Sequence, residues 1–357
     1  MPERPPPLLS ELTTLRVGGP ARELVHATTE STLLDAVRRA DAAGTPLLLL
    51  AGGSNLVVGD HGFDGTVVRI ETTGIHATGD DGEAVCGGVT VTVAAGEPWE
   101  PFVAHAVDRG WVGVEALSGI PGSVGATPVQ NVGAYGQEVA DTIASVRTWD
   151  RVEGRQRTFA AADCGFGYRT SRFKQDPHRY VVLDVTFQLR TGRLSTPIRY
   201  AELARRLGIE TGARAPMADV RSAVLELRRG KGMVLDPADH DTWSAGSFFT
   251  NPVLEPTSAD RLPPDAPRWT LPDGTVKTSA AWLIERSGFG RGYGSTRAAL
   301  SGKHTLAVTN RGGAGSDDLL ALAVEIQRGV HATYGVWLVN EPVLVGCALP
   351  VPEGSAG

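Results

Sequence analysis

The chain has 357 residues, with 34 Lys and Arg against 40 Asp and Glu and a formal net charge of −6. This length predicts two or three domains, and the mildly acidic balance argues against a general affinity for nucleic acid or for anionic membranes. No apolar run approaches the roughly 20 residues of a membrane span, and the N-terminus lacks the apolar core of a signal peptide, so we expect a cytoplasmic protein.

The first seventy residues predict a small α/β unit. Apolar side chains at helical spacing predict a helix over Thr28–Ala43, ended by Gly44. Short apolar runs predict buried strands at Leu47–Leu50 and Val67–Ile70.

The middle of the chain predicts strands, one helix and one irregular stretch. Val91 and Val93 indicate a strand, and a helix is predicted near Pro101–Asp108. A glycine-rich stretch covers residues 118–136, and Val181–Leu189 is the clearest of several later strands.

The last part of the chain predicts helices and a closing strand. Glycine and proline interrupt the pattern around residues 208–218, which suggests a domain boundary there. The predicted elements are helices at Ala201–Leu207, Val220–Arg229, Ser279–Ser287 and Asp317–Tyr334, and a strand at Val336–Val345.

The strand Leu47–Leu50 leads directly into the sequence Ala51-Gly52-Gly53-Ser54-Asn55. A glycine-rich turn at the end of a strand can direct backbone N–H groups at a phosphate, because no Cβ blocks close approach. An ordinary tight turn is the more frequent explanation. Neither a dinucleotide-binding G-x-G-x-x-G nor a P-loop motif is present.

Residues 118–136 contain five glycines, two prolines and no charged side chain. Such a stretch cannot be a continuous helix or strand. A flexible linker would be more polar, since this stretch also holds Ile120, Val124 and Val132. A flat, partly apolar ligand bearing a pyrophosphate would suit both glycine-rich segments.

Three single residues are candidates for a catalytic or ligand-binding role, and each also has an ordinary structural explanation. Arg169 lies among glycines and aromatic residues and could face a carboxylate or a developing enolate, although a surface arginine is equally compatible. Ser247 precedes two phenylalanines and could hold a ligand or pass a proton, but a turn serine is the default. Glu341 in the closing strand would need a raised pKa or a cationic partner on an apolar face, unless it lies at an exposed edge.

Other kinds of site are disfavoured. The cysteines Cys86, Cys164 and Cys347 are far apart, so neither a disulfide framework nor a CxxC pair is indicated. The histidines match no metal motif, and Asp236–Asp241 is better explained as a solvated acidic loop than as a metal site. We therefore predict no metal.

Six segments, taken together and in order, resemble the UDP-N-acetylenolpyruvoylglucosamine reductase family. The resemblance spans about residues 11–346. The segments are Gly53-Ser54-Asn55, Ser118–Gly125, Gln130–Gly136, Tyr168–Lys174, Gly246–Asn251 and the closing strand with Glu341.

This resemblance implies an α+β fold, with a two-subdomain FAD-binding part of the vanillyl-alcohol-oxidase type and a separate substrate domain. The implied division is 1–73 and 74–218 for the two FAD subdomains and 219–335 for the substrate domain, with strand 336–347 returning to the second subdomain. The residues implied to bind FAD are Gly52, Gly53, Ser54, Asn55, Leu56, Gly119, Ile120, Pro121, Gly122, Ser123, Gly125, Ala126, Gly133, Ala134, Tyr135 and Gly136. Some relatives in the wider fold attach FAD through a histidine in the first glycine-rich turn. Ser54 and Asn55 stand in that turn here, so we expect non-covalent FAD.

The resemblance also implies the reaction. NADPH reduces the flavin, and a hydride then passes from flavin N5 to C3 of the enolpyruvyl ether of UDP-N-acetylglucosamine. By this resemblance Arg169 and Glu341 stabilise the enolate and Ser247 donates a proton to C2. A monomer without nucleic-acid or membrane partners is expected.

Substrate contacts implied by the resemblance include two of the chain's four lysines. The implied residues are Tyr200, Lys231, Asn251, Trp269 and Lys277. Trp269 replaces the tyrosine of many members, and Leu338-Val339-Asn340 departs from the commoner leucine-x-proline form. Two rival functions are a flavin-dependent sugar or alcohol oxidase of the same architecture and a nucleotide-sugar-binding protein without turnover.

Overall fold

The computed structural model describes residues 6–79 and 88–350. Cys86 therefore lies outside the described residues. The described chain divides into two compact units. The first unit contains residues 6–21, 53–63 and 231–350, and the second contains 22–52, 64–79 and 88–230.

Helices and strands are interspersed through both units, and most of the strand pairs are antiparallel, which agrees with the predicted α+β class. The helices are α1 (Glu30–Ala43), α2 (Trp99–Asp108), α3 (Arg172–Gln175), α4 (Ala201–Leu207), α5 (Met217–Gly230), α6 (Pro256–Ala259), α7 (Ala280–Arg286) and α8 (Ser316–Tyr334). The strands up to residue 112 are β1 (Ala21–Ala27), β2 (Leu47–Leu50), β3 (Leu56–Val58), β4 (Phe63–Ile70), β5 (Ile75–Thr78), β6 (Val89–Ala94) and β7 (Trp111–Val112). The later strands are β8 (Gly133–Ala134), β9 (Gln137–Glu138), β10 (Ile143–Asp150), β11 (Arg155–Ala160), β12 (Tyr180–Thr191), β13 (Val253–Leu254), β14 (Arg268–Thr270), β15 (Val276–Thr278), β16 (Ala298–Leu300), β17 (Val308–Asn310) and β18 (Val343–Val345).

The second unit is built on two larger sheets, beside the two-stranded sheet β8-β9. One has the order β1-β4-β2, with β2 and β4 parallel. The other has the antiparallel order β11-β10-β12-β6-β5, and β7 also pairs with β12. Alternate residues of β6 are fully buried, as expected for a strand with one face in a core. Trp99 and Phe102 of α2 pack with Phe187 of β12 in that core.

The first unit has small sheets packed with helices. Its sheets are β13-β15-β14, β16-β17 and the parallel pair β18-β3. Helix α8 contributes Leu319, Ile326 and Val330 to a core that also contains Leu15 and Val57. Three separate stretches of sequence therefore complete one hydrophobic core.

Most predicted elements are confirmed. Strand β2 and helix α4 have the predicted bounds. Helix α1 begins two residues later than predicted, because the Thr29 side chain accepts a hydrogen bond from Thr32 N and caps the helix. Gly44 ends α1 in the left-handed conformation, as its position suggested.

Two features near the predicted boundary differ from the sequence interpretation. Helix α5 belongs to the second unit, where it packs with α4, so the division between units follows Gly230. Gly208 is the left-handed cap of α4. The glycine near residue 208 therefore ends a helix rather than a domain.

The closing strand is shorter than predicted, and it does not pair with the second FAD subdomain as the resemblance implied. The prediction of a strand over Val336–Val345 is wrong for its first seven residues. The Leu338 carbonyl accepts a hydrogen bond from the Gln327 side chain at 2.8 Å, and Pro342 has no N–H to donate to a ladder. Strand β18 pairs with β3 and not with a strand of residues 74–218.

Candidate active site

The first glycine-rich turn approaches neighbouring backbone too closely for a side chain. A Cβ on Gly52 would lie 2.9 Å from Gly122 Cα, so the two glycine-rich segments of the sequence meet within the second unit. A Cβ on Gly53 would lie 1.9 Å from the Leu12 carbonyl oxygen, and Gly53 has a φ of +60°. Close packing at this turn therefore leaves no space for a side chain at either position. Gly52 is exposed and Gly53 is buried, so it is the backbone at Gly52 that lies open to a phosphate-bearing cofactor.

The segment 118–126 is fixed against the end of β6 and the start of α2. Gly122 O accepts from Trp99 N at 3.0 Å, and Gly125 N donates to Ala95 O at 2.8 Å. A Cβ on Gly125 would lie 2.4 Å from Ala95 Cβ. These contacts hold in place a largely irregular backbone with one short 3₁₀ helix at Val124–Ala126, which agrees with an ordered loop rather than a linker.

Glu100 of α2 is an anchor for this loop that the sequence interpretation missed. Its carboxylate accepts a hydrogen bond from Gly119 N and pairs with Arg221 of α5 at 2.5 Å. A glutamate in the first turn of a helix carries no sequence signal for such a contact. The pairing connects the glycine-rich loop to α5.

Tyr135 lies at the end of the second glycine-rich stretch in a left-handed conformation, with a φ of +50°. Its ring packs edge-on against Tyr200, with ring centroids 5.4 Å apart. Burial raises the pKa of the Tyr135 hydroxyl to about 12, so this hydroxyl is protonated at neutral pH. The structure thus places one predicted cofactor residue beside one predicted substrate residue.

Arg169 is held against the glycine-rich segment by its guanidinium. Its Nη2 donates to Gly133 O at 2.8 Å and its Nη1 to Asn131 O at 3.4 Å. Arg169 has a φ of +52°, and the Lys174 ammonium donates to its carbonyl at 2.9 Å. Non-glycine residues in this conformation are uncommon and cluster at functional sites. Arg169 is half-buried and its guanidinium is fixed by these contacts, while its part in the reaction stays a prediction.

Ser247 and Glu341 lie on adjacent backbone segments of the first unit. Glu341 N donates to Phe248 O at 2.8 Å, and Phe249 and Asn340 form an isolated antiparallel β-bridge. Both Ser247 and Glu341 are half-buried, and Glu341 precedes β18 rather than lying within it. The expected apolar face around Glu341 is wrong, because Val339 and Val343 are exposed.

Asn310 ties the segment before Ser247 to the N-terminal part of the first unit. Its amide Nδ2 donates to Leu15 O at 3.0 Å and to Arg16 O at 3.3 Å, while its backbone N donates to Trp243 O at 3.0 Å. Its Oδ1 accepts from the N–H of Gly312 at 2.8 Å. Arg16 has a φ of +54° and its guanidinium lies 3.7 Å from the centroid of the Trp243 ring. The only sequence signal was the run Asn310-Arg311-Gly312-Gly313, whose asparagine and glycines are typical of turns.

Replacing Asn310 by alanine should lower the free energy of unfolding by about 3 kcal/mol, since several buried backbone groups lose a partner. Chemical denaturation of the purified protein measures this change. The control is Thr333→Ala, which removes an exposed hydroxyl that donates to Gly329 O, and it should cost less than about 0.5 kcal/mol. If the two variants were equally stable, Asn310 would not hold this region together.

Three of the predicted substrate residues are close to one another in the first unit. Trp269 and Lys277 are paired across β14 and β15, and the ammonium lies 6.0 Å from the indole centroid. Asn251 precedes β13, and its Oδ1 accepts from Ala280 N at the start of α7 at 3.0 Å. The oxygen of Asn251 is therefore engaged within the protein, which leaves its NH₂ group as the donor available to a ligand.

Two ion pairs hold the loop that contains Asp236–Asp241. Asp239 pairs with Lys303, and Asp241 pairs with Arg311 at 2.6 Å. The hydrogen bond from Lys303 lowers the pKa of Asp239. Within residues 6–79 and 88–350, no group of three or more His, Cys, Asp or Glu side chains could hold a metal ion.

Comparison with known proteins connects these features to one family. Residues 236–345 match the family model described as UDP-N-acetylenolpyruvoylglucosamine reductase, C-terminal domain, and residues 21–160 match the model described as FAD binding domain. These matches support the expected fold, an FAD-binding part of the vanillyl-alcohol-oxidase type with a further C-terminal domain.

Individual relatives match over nearly the whole chain. A UDP-N-acetylenolpyruvoylglucosamine reductase of Cutibacterium acnes is 58% identical over 344 residues, which cover 96% of this chain and 90% of the relative. One from Streptomyces coelicolor is 55% identical over 352 residues, with the same coverage of 96% and 90%. The crystal structure of a UDP-N-acetylenolpyruvylglucosamine reductase from Thermus caldophilus is similar with a TM-score of 0.63 at 26% identity, covering 95% of this chain and 97% of that one. With this identity across almost its full length, the chain belongs to the UDP-N-acetylenolpyruvoylglucosamine reductase family.

Proposed function

We propose that this chain reduces the enolpyruvyl ether of UDP-N-acetylglucosamine to UDP-N-acetylmuramate, with non-covalent FAD as its cofactor and NADPH as its co-substrate. The observation that carries the proposal is the glycine cradle around Gly52 and Gly122, in a chain 58% identical to a reductase of this name. The oxidase alternative has no comparable support, because the close relatives are named as reductases. A cytoplasmic monomer is part of the same proposal.

Bound FAD would supply two-electron hydride chemistry between NADPH and the unsaturated ether. The exposed backbone of Gly52, beside Gly122, would hold it with groups that no side chain covers. Ser54 and Asn55 offer no imidazole for a covalent link, so binding depends on these non-covalent contacts.

The protein's own contribution to the reduction is charge stabilisation and proton delivery. We propose that Arg169 and Glu341 form the polarising pair at the substrate. The Arg169 guanidinium supplies the positive charge that stabilises the enolate formed when C3 accepts a hydride. Because Arg169 is already fixed by Gly133 O and Asn131 O, little reorganisation is needed during the reaction. The Ser247 hydroxyl then donates its proton to C2 of the basic enolate.

The substrate is held, in this proposal, by Tyr200, Lys231, Asn251, Trp269 and Lys277. Trp269 offers an exposed ring to a uracil or sugar face, and 49% of its surface is accessible. Tyr200 and Lys231 would hold the diphosphate, to which the Lys231 ammonium group is suited.

A visible spectrum followed by two additions tests the proposal. The purified protein should be yellow, NADPH should bleach it without air, and the enolpyruvyl ether should restore the colour. Bleaching by NADPH without recolouring by the ether would exclude the reductase. Bleaching by a sugar alone, with recolouring by air, would favour the oxidase, and a colourless protein that still binds UDP-sugars would favour a binding protein.

A further inference from the structure

A groove in the second unit is lined by arginines that the proposed reaction does not use. Its arginines, Arg190 at the end of β12, Arg199 before α4 and Arg214 before α5, line a cavity of about 510 Å³. We call this cavity the arginine groove. Its size is within the range of small-molecule sites in proteins.

The charge of the arginine groove is unbalanced. Asp141 is the only carboxylate among its described lining residues. None of its three guanidiniums makes an ion pair in the part of the chain that the structure describes, whereas Arg151 and Arg179 of the same unit pair with Asp41 and Asp150 at 2.6 and 2.8 Å. A cleft with an excess of one sign in an otherwise acidic protein concentrates ligands of the opposite charge.

The backbone of the arginine groove is also accessible at Gly136. This glycine is exposed, has a φ of +84° and is close to Arg199, since a Cβ there would lie 3.4 Å from Arg199 Cβ. Arg214 is oriented by a hydrogen bond from its Nη1 to Ser195 O at 3.3 Å. Guanidinium forks beside uncovered backbone are the usual means of recognising phosphate.

We propose that the arginine groove binds a small phosphorylated anion at a site separate from that of the nucleotide substrates. The proposal goes beyond the reductase activity, because none of the residues proposed to bind substrate lines the groove and only Gly136 is shared with the proposed cofactor set. Gly136 follows Tyr135 and Arg199 precedes Tyr200, so two residues that line the groove are sequence neighbours of the edge-on tyrosine pair.

Calorimetric titration of pyrophosphate into the flavin-loaded protein tests this site. We expect binding that weakens as salt is added, and that falls at least about tenfold in the double variant Arg199→Gln/Arg214→Gln, because two charge-assisted forks are lost. The matched control is Arg205→Gln, an exposed arginine of α4 that does not line the groove, and its affinity should equal that of the unaltered protein. Arg190→Gln is a milder variant at the end of a strand and should lower the affinity in the same direction.

A second titration separates the proposed site from the substrate pocket. With UDP-N-acetylglucosamine present in excess, pyrophosphate should bind as before. Loss of binding under this condition would assign the phosphate to the substrate's own site and overturn the proposal. No measurable binding by the unaltered protein, or equal affinity in the double variant, would overturn it as well. These measurements need no turnover, so they stand apart from the test of the reductase.

Discussion

Replacing Ser247 by alanine should leave reduction of the flavin by NADPH unchanged and slow its reoxidation by the enolpyruvyl ether by about a thousandfold, within the usual range for loss of a general acid. The first half-reaction requires no proton at C2, whereas the second ends with protonation of that carbon. Stopped-flow absorbance of the flavin measures the two half-reactions separately.

This prediction is specific to a proton donor, because only the second of the two half-reactions should become slower. A general disturbance of the turn would slow both half-reactions, because Phe248 and Phe249 next to Ser247 belong to the core of the first unit. The control is Ser258→Ala in the short helix α6, which should leave both rates unchanged. Reoxidation at the normal rate in Ser247→Ala would mean that another group donates the proton.

Replacing Gly52 by valine should give a folded protein that retains less than about a tenth of the flavin. The new Cβ would lie 2.9 Å from Gly122 Cα, so the turn and the loop would be forced apart. The ratio of flavin absorbance to protein absorbance after purification measures this loss.

A control substitution at another glycine distinguishes damage to the flavin-binding turn from general unfolding. A Cβ on Gly290 would meet no other heavy atom within 4 Å, so Gly290→Val should keep its flavin. Circular dichroism should show that both variants are folded. Full flavin content in Gly52→Val would remove this turn from the binding site.

Local elements were predictable because their signals lie within a few residues of sequence. The leucine run 47–50 and the apolar spacing of Ala201–Leu207 gave the correct bounds without knowledge of any partner. The helix ending at Gly44 was predictable for the same reason, since a glycine accepts the left-handed conformation that ends it.

The errors and omissions arise from contacts between distant residues. Gly208 ends a helix, but the sequence alone does not distinguish a helix-ending glycine from one at a domain boundary. The valines near Glu341 suggested a strand, yet the carbonyl of Leu338 is taken by Gln327. Asn310 was missed because its partners, Leu15 and Arg16, are almost three hundred positions away. The sequence therefore allowed candidate site residues to be named, but it did not reveal the distant residues that hold them in position by hydrogen bonds.

The interleaved composition of the first unit also bears on the order in which the chain folds. Leu15 and Val57 pack in the same core as α8, and β3 pairs with β18 near the end of the chain. During synthesis these early apolar side chains leave the ribosome long before their partners exist, whereas residues 64–230 emerge as a continuous stretch. We therefore expect the second unit to form first on the nascent polypeptide, and the early segments to need protection from aggregation until translation is nearly finished.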